Sequence, residues 1–129
     1  MKKLTPVVIL LLLLALLLTA CGKAQNPAAK VVEDYLTALV NKDSARLSTL
    51  SCADWESSAM LELDSLQAVT AQLQGLTCSV SGTNGTTSDV SCHGKIVTTY
   101  NNENQQLDLS LRTYQVVQQG GDYLVCGYK

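Results

Sequence analysis

Apolar residues follow a helical period in the first part of this chain and a strand period in the second. Between residues 28 and 41 they recur every three or four positions, while the charged residues fall mostly between them. This pattern predicts an amphipathic helix that buries one face. Pro27 suits the first turn of that helix and Asn26 its cap. A short second helix is expected next, with Asp43 or Ser44 as its cap.

A third helix is expected after Cys52, with Asp54 as its cap. Its apolar stripe recurs at helical spacing and ends at Gly75, a residue that often stops a helix. The positions in the stripe are Ala59, Leu63, Leu66, Val69 and Leu73. The sequence therefore predicts three helices before the first strand.

From Leu76 onward apolar and polar residues alternate, and β-branched and aromatic residues become frequent, which predicts strands. Turns are expected at Asn84-Gly85, at residues 101–104 and at residues 120–122, giving four strands. The apolar phase slips by one residue in the third strand, so a bulge is expected near Thr113. Three helices followed by a four-stranded antiparallel meander indicate an α+β domain.

The first twenty residues have the three parts of a secretory signal. Two lysines precede an apolar run at residues 7–18, and the small residues Thr19 and Ala20 follow it. A run of this length is a poor membrane-spanning helix.

Leu18-Thr19-Ala20-Cys21 resembles the lipobox of bacterial lipoproteins. The resemblance implies that a diacylglyceryl group is attached to the Cys21 thiol and that the chain is cut after Ala20. The mature protein would then be held at the bacterial cell membrane by its lipid, facing outside the cytoplasm. A plain secretory signal or an uncleaved anchor would be the alternatives.

Domain organisation follows from this division. Residues 1–20 are predicted to be the signal peptide, residues 21–26 the lipidated cysteine and a short polar tether, and residues 27–129 one domain. The whole chain has 9 Lys and Arg, 11 Asp and Glu and a formal charge of −2, and loss of Lys2 and Lys3 would make it −4. No basic run follows Lys3, so a nucleic-acid partner is not expected.

Four cysteines remain after Cys21, an even number in a chain addressed to an oxidising compartment, and two disulfides are expected. Cys78 and Cys92 lie at equal distances from Gly85, so they would pair across a hairpin if its loop has an odd length. Cys52 would then join Cys126. A metal site built from Cys78, Cys92, His93 and a fourth ligand is the competing idea, but the close spacing of zinc ligands is absent.

The order of elements also resembles a known family. A long helix leads through Asn41-Lys42-Asp43 into a short helix, and paired strands at residues 107–117 and 122–126 end the chain. In these features the sequence is similar to the nuclear transport factor 2-like (NTF2-like), or SnoaL-like, superfamily. The resemblance implies a cone-shaped, cystatin-like fold in which a curved sheet wraps the long helix and leaves a pocket at its open end.

Few residues offer catalytic chemistry. His93, the only histidine, alternates away from the apolar face of its strand, and Asp108 and Arg112 alternate away from Leu107, Leu109 and Leu111, so all three are expected to face solvent. No catalytic motif is present, and neither a cofactor nor a metal is expected.

Four aromatic side chains are the candidates for lining the pocket, although supplying core volume is the commoner role for such residues in a chain without phenylalanine. They are Tyr35, Trp55, Tyr100 and Tyr114. We expect this domain to bind a small apolar ligand or a protein partner without catalysing a reaction. It could also form a homodimer through the sheet face. The alternative is an isomerase or dehydratase of the SnoaL-like type acting in the pocket.

Overall fold

The computed structural model describes Gly22 and residues 24–129. The predicted signal segment and Cys21 lie outside this part of the chain, so the lipobox prediction stays a prediction. Within the described residues, none of the helices combines the length and the apolar character that crossing a membrane requires.

Among the described residues three helices come first, in the predicted order: α1 (Pro27–Val40), α2 (Ser44–Thr49) and α3 (Ala53–Ser65). The Asn26 side chain caps α1 by accepting from the Ala28 N–H at 2.9 Å, and Asp43 caps α2 by accepting from the Arg46 N–H at 2.9 Å. The expected Asn26 cap is confirmed, and of the two residues expected to cap the second helix the structure has Asp43. Helix α1 is the centre of the fold because it buries most of its apolar residues against the sheet.

The third helix differs from its prediction at both ends. Its cap position is Cys52, and Asp54 lies inside the first turn. The helix ends at Ser65, because the chain turns at residues 66–69 and enters a strand at Thr70. The ammonium of Lys42 donates to the Val69 carbonyl at 2.7 Å and stabilises this turn from the α1–α2 connection.

The sheet has five strands instead of the expected four: β1 (Thr70–Asn84), β2 (Thr87–Tyr100), β3 (Glu103–Asp108), β4 (Thr113–Gln119) and β5 (Asp122–Tyr128). They form one antiparallel, curved sheet in the order β1-β2-β4-β5, and β3 pairs with β2 beside β4. The α+β class is therefore confirmed, and the strand count is corrected.

The extra strand arises where the sequence predicts a bulge. A turn of 3-10 helix at Leu109–Leu111 separates β3 from β4, and the Asp108 carboxylate caps it by accepting from the Ser110 N–H at 2.9 Å. Strands β3 and β4 lie along the same edge of β2: β3 pairs with residues 95–100 and β4 with residues 87–91. The phase slip therefore marks a complete break in the strand.

The β1–β2 hairpin places Cys78 opposite Cys92, as expected, but not for the expected reason. Its loop has two residues, not an odd number, and Asn84 pairs with Thr87. A regular ladder would then place Cys78 opposite His93, but a bulge between Val80 and Gly82 shifts the register by one residue. Cys78 therefore lies opposite Cys92, with Cα atoms 4.1 Å apart and sulfur atoms at disulfide distance.

The second cysteine pair ties the helices to the last strand. Cys52 and Cys126 have Cα atoms 5.2 Å apart and sulfur atoms at disulfide distance, across 74 positions of sequence. Cys126 is the extra residue of a bulge in β5, between Val125 and Gly127. Beside it, the Cys52 N–H donates to the Val125 carbonyl at 2.9 Å, so the α2–α3 connection pairs with the outer edge of β5.

Candidate functional site

A chain of hydrogen bonds links α1 and α3 inside the curve of the sheet. The Trp55 indole N–H donates to the Tyr35 hydroxyl at 3.1 Å, and that hydroxyl donates to a carboxylate oxygen of Glu62 at 3.0 Å. Trp55 and Glu62 both lie on α3, and Tyr35 is a fully buried residue of α1. The three side chains therefore fix the packing of the two helices.

Arg112 completes this chain from the sheet side. Its guanidinium donates to the other carboxylate oxygen of Glu62 at 3.0 Å and lies 4.0 Å above the centre of the Tyr128 ring. The Arg112 side chain is only 21% exposed to solvent and the Glu62 side chain only 19%. The prediction that Arg112 faces solvent is wrong, because the 3-10 turn before it reverses the alternation on which that prediction rested.

Aromatic rings surround the ion pair. Tyr114 lies between Tyr35 and Tyr128, with ring centres 6.4 and 5.7 Å away, and Trp55 meets Tyr128 edge-on at 5.5 Å. Such tilted and edge-on contacts are the favoured geometries for aromatic rings. We call these six residues the interior cluster: Tyr35, Trp55, Glu62, Arg112, Tyr114 and Tyr128.

Burial shifts the acidity of the tyrosines in the interior cluster. It raises the pKa of Tyr114 to about 12, although the nearby guanidinium of Arg112 opposes the shift. The pKa of Tyr35 is raised further, first by burial and then by the negative charge of Glu62. Tyr114 also carries the only buried side-chain polar atom in the described part of the chain without a hydrogen-bond partner, its hydroxyl oxygen, although Arg112 is close.

A cavity of about 130 Å³ adjoins the interior cluster. Glu62 and Arg112 form part of its wall, together with Ser65 and Thr98. The rest of the lining is apolar and comes from α1, the end of α3 and two strands: Leu39, Leu66, Ile96 and Leu107. Pockets for small molecules usually measure some 300 to 1,000 Å³, so this cavity is small for a whole ligand.

Three of the four predicted pocket residues come together, and one does not. Tyr35, Trp55 and Tyr114 belong to the interior cluster, where they fill space beside the cavity and do not line it. Tyr100 lies at the end of β2, 59% exposed, beside a separate surface depression.

The other candidate residues lie on the surface, as expected. His93 and Asp108 are exposed, and hydrogen bonds from the Ser110 hydroxyl and N–H lower the pKa of Asp108. The larger depressions on the sheet are also open and lined mainly by polar residues such as Thr83, Asn84 and Gln115. They contain none of the interior cluster. Among the residues that the structure describes, no three His, Cys, Asp or Glu side chains meet as a metal site would need.

Sequence reasoning missed Glu62 and Tyr128. Glu62 looks like one of several acidic residues on α3, and no local motif marks it. The available signal was its position next to Leu63 and three residues after Ala59, which are both buried, because a glutamate so placed borders the buried face of a helix.

Known structures resemble this fold. A candidate ketosteroid isomerase from Shewanella frigidimarina is similar with a TM-score of 0.56 and 12% identity, over 80% of this chain and 93% of that one. An NTF2-like protein with a cystatin-like fold from Novosphingobium aromaticivorans has a TM-score of 0.55 and 14% identity, over 99% of this chain and 88% of that one. A SEC-C motif containing protein from Rhodopseudomonas palustris has a TM-score of 0.51 and 9% identity, over 77% and 74%.

Sequence comparison adds no closer relationship. No protein-family model and no curated protein sequence matches the chain. At identities of 9 to 14% the likeness concerns architecture alone. The described domain therefore has an NTF2-like, cystatin-like α+β fold.

Proposed function

We propose that this protein is a lipid-anchored domain outside the bacterial cytoplasm that binds a protein partner and does not catalyse a reaction. The observation that carries the second half of this proposal is the pair of hydrogen bonds that holds the Glu62 carboxylate. Glu62 is the only carboxylate of the interior cluster, and it accepts from Arg112 and from Tyr35 at once. These two contacts tie the carboxylate to α1 and to the sheet, so its position favours a structural role over one in proton transfer.

The volume of the cavity supports the same conclusion. Tyr35 and Tyr114 are completely buried and fill the interior, and the remaining 130 Å³ has room for only a small group of atoms. A small molecule could bury only part of its surface there. A protein partner could instead insert one side chain and make its other contacts on the rim.

The anchoring half of the proposal rests on the lipobox-like Leu18-Thr19-Ala20-Cys21 and on the polar tether after it. Mass spectrometry of protein extracted from membranes tests it. The expected amino-terminal peptide begins at Cys21 and carries a diacylglyceryl group, and a Cys21→Ser variant should lose both the lipid and the membrane association. An unmodified Cys21 would overturn the anchoring proposal.

An isomerase is the second candidate, supported by the position of Glu62 and Tyr35 beside a cavity in this fold. The discriminating assay follows conversion of a ketosteroid by the wild-type protein and by Glu62→Gln. We expect no turnover above the uncatalysed rate. Turnover that disappears in Glu62→Gln would replace the binding proposal with an enzymatic one.

A further inference from the structure

Two exposed leucines lie next in sequence to residues that line the cavity. Leu61 is 69% exposed and lies one helical turn before Ser65, which lines the cavity, so the two share a face of α3. Leu111 is 76% exposed and directly precedes Arg112, another lining residue. The ion pair between Glu62 and Arg112 brings the two segments together at 3.0 Å. We call Leu61, Leu111 and this cavity the apolar rim.

The apolar rim and the amino-terminal tether lie at opposite ends of α1. Glu33 accepts from the Cys78 N–H at 3.0 Å, and Lys42 donates to the Val69 carbonyl at 2.7 Å, so α1 runs antiparallel to β1. Leu39, which lines the cavity, is the penultimate residue of α1, about 18 Å along the helix axis from Pro27. A bilayer that holds the tether would therefore face the other end of the domain.

Charge and volume define what the apolar rim can hold. Glu62 and Arg112 neutralise each other, so the site offers no net charge to attract an ion. An apolar cavity of about 150 Å³ accommodates a benzene molecule, so the 130 Å³ here suits one side chain of similar size. An acyl chain of a lipid would be too long for this volume.

From these observations we infer that the apolar rim docks a protein segment that inserts one Leu, Ile or Met side chain into the cavity and approaches from the side away from the membrane. This inference rests on the proposed function and specifies its binding surface. A second copy anchored in the same membrane fits poorly, because both copies would direct their rims away from the bilayer.

Photo-crosslinking in intact cells tests the inference with the full-length protein. A benzoyl-phenylalanine is placed singly at Leu61, at Leu111, and at two positions outside the rim, Thr77 and Gln115. The expected result is one product shared by positions 61 and 111, in which mass spectrometry maps the contact to an aliphatic residue of another protein. Ser65→Trp, which fills the cavity, should lower its yield about tenfold, and Ser57→Trp on the same helix should leave it unchanged.

Each other outcome overturns the inference. A product with a second copy of this chain or with lipid would identify a different occupant. A product whose yield is unchanged by Ser65→Trp would exclude the cavity as the docking site. Products from Thr77 or Gln115 alone would reject the apolar rim and leave the proposed function standing. Absence of any product from all four positions would count against both the apolar rim and the proposed function. Circular dichroism of the Ser65→Trp variant verifies that its fold is intact.

Discussion

Glu62 and Arg112 form an ion pair at 3.0 Å although 50 positions separate them in the sequence. The pair joins α3 to the break between β3 and β4, and it also closes one side of the cavity. The pair is therefore the first target for mutation.

Replacing Glu62 by Ala should lower the free energy of unfolding by about 2 kcal/mol, because it leaves a partly buried guanidinium without its counter-charge and removes the acceptor of the Tyr35 hydroxyl. Glu62→Gln keeps an acceptor and should cost about half as much. Urea unfolding followed by Trp55 fluorescence measures both. Asp89→Ala is the matched control, because Asp89 pairs with Lys129 at the same 3.0 Å but in a more exposed place, and should cost less than about 1 kcal/mol. Equal losses for Glu62 and Asp89 would contradict the argument.

Gly94 should tolerate no side chain. Its φ is +100°, and an added Cβ would lie 2.6 Å from the carbonyl oxygens of Gln74 and Gly75. Gly94→Ala should therefore destabilise the domain by about 3 kcal/mol. Gly82→Ala provides the comparison, since its Cβ would meet Asp89 at an ordinary 4.0 Å, and should change stability by less than about 1 kcal/mol. A mild effect at Gly94 would mean that the bulge opposite it relaxes easily.

Stability should fall at alkaline pH. The folded pKa of Tyr114 is about 12, above the ordinary tyrosine value near 10. The unfolded chain therefore loses this proton first, and the stabilisation present below pH ~10 is lost as the pH rises towards 12, at up to about 1.4 kcal/mol per pH unit.

The Tyr114→Phe variant isolates this effect. It should reduce the slope of stability against pH between pH ~10 and ~12 by about 1.4 kcal/mol per unit. Near pH 7 it should be neutral or slightly stabilising, because it removes a hydroxyl that has no hydrogen-bond partner. Chemical unfolding at a series of pH values measures both effects. An unchanged alkaline slope in Tyr114→Phe would show that other groups control it.

The two cysteine pairs should contribute unequally. Closing the 14-residue separation between Cys78 and Cys92 stabilises the chain by about 3 kcal/mol in the chain-entropy model, and closing the 74-residue separation between Cys52 and Cys126 by about 4 kcal/mol. The double variants C78A/C92A and C52A/C126A, unfolded in urea, should differ in that order. Peptide mapping without reductant should find the same pairs, and a peptide joining Cys78 to Cys126 would be incompatible with the hairpin register.

The sequence predicts most of the architecture, because local patterns determine it. Helix α1, its Asn26 cap and the change to strands all follow from periodicity and turn residues. The end of α3 could not be predicted in this way. Leu66, Val69 and Leu73 fit a helical spacing, although the chain turns and enters a strand there. Contact of the Lys42 ammonium with the Val69 carbonyl, distant in sequence, favours the turn.

The interior cluster was harder to predict than the fold. Tyr35, Trp55 and Tyr114 are rare aromatic residues and stand out, so they could be named from sequence. Arg112 could not be placed correctly, because the 3-10 turn at residues 109–111 changes which face of the strand it occupies. Glu62 acquires its role only from partners on α1 and on the sheet, and no periodicity shows such pairing.

The pairing of Leu50 and Cys52 with Val125 has a consequence for self-association. Strand β5 would otherwise end the sheet with unsatisfied backbone groups, the kind of template on which strands from other molecules stack. The α2–α3 connection occupies two of those groups, and the neighbouring Cys52–Cys126 pair would hold it there. Reduction would leave this cover held by its backbone hydrogen bonds alone, so a protein transferred to a reducing environment should aggregate more readily through the edge of β5.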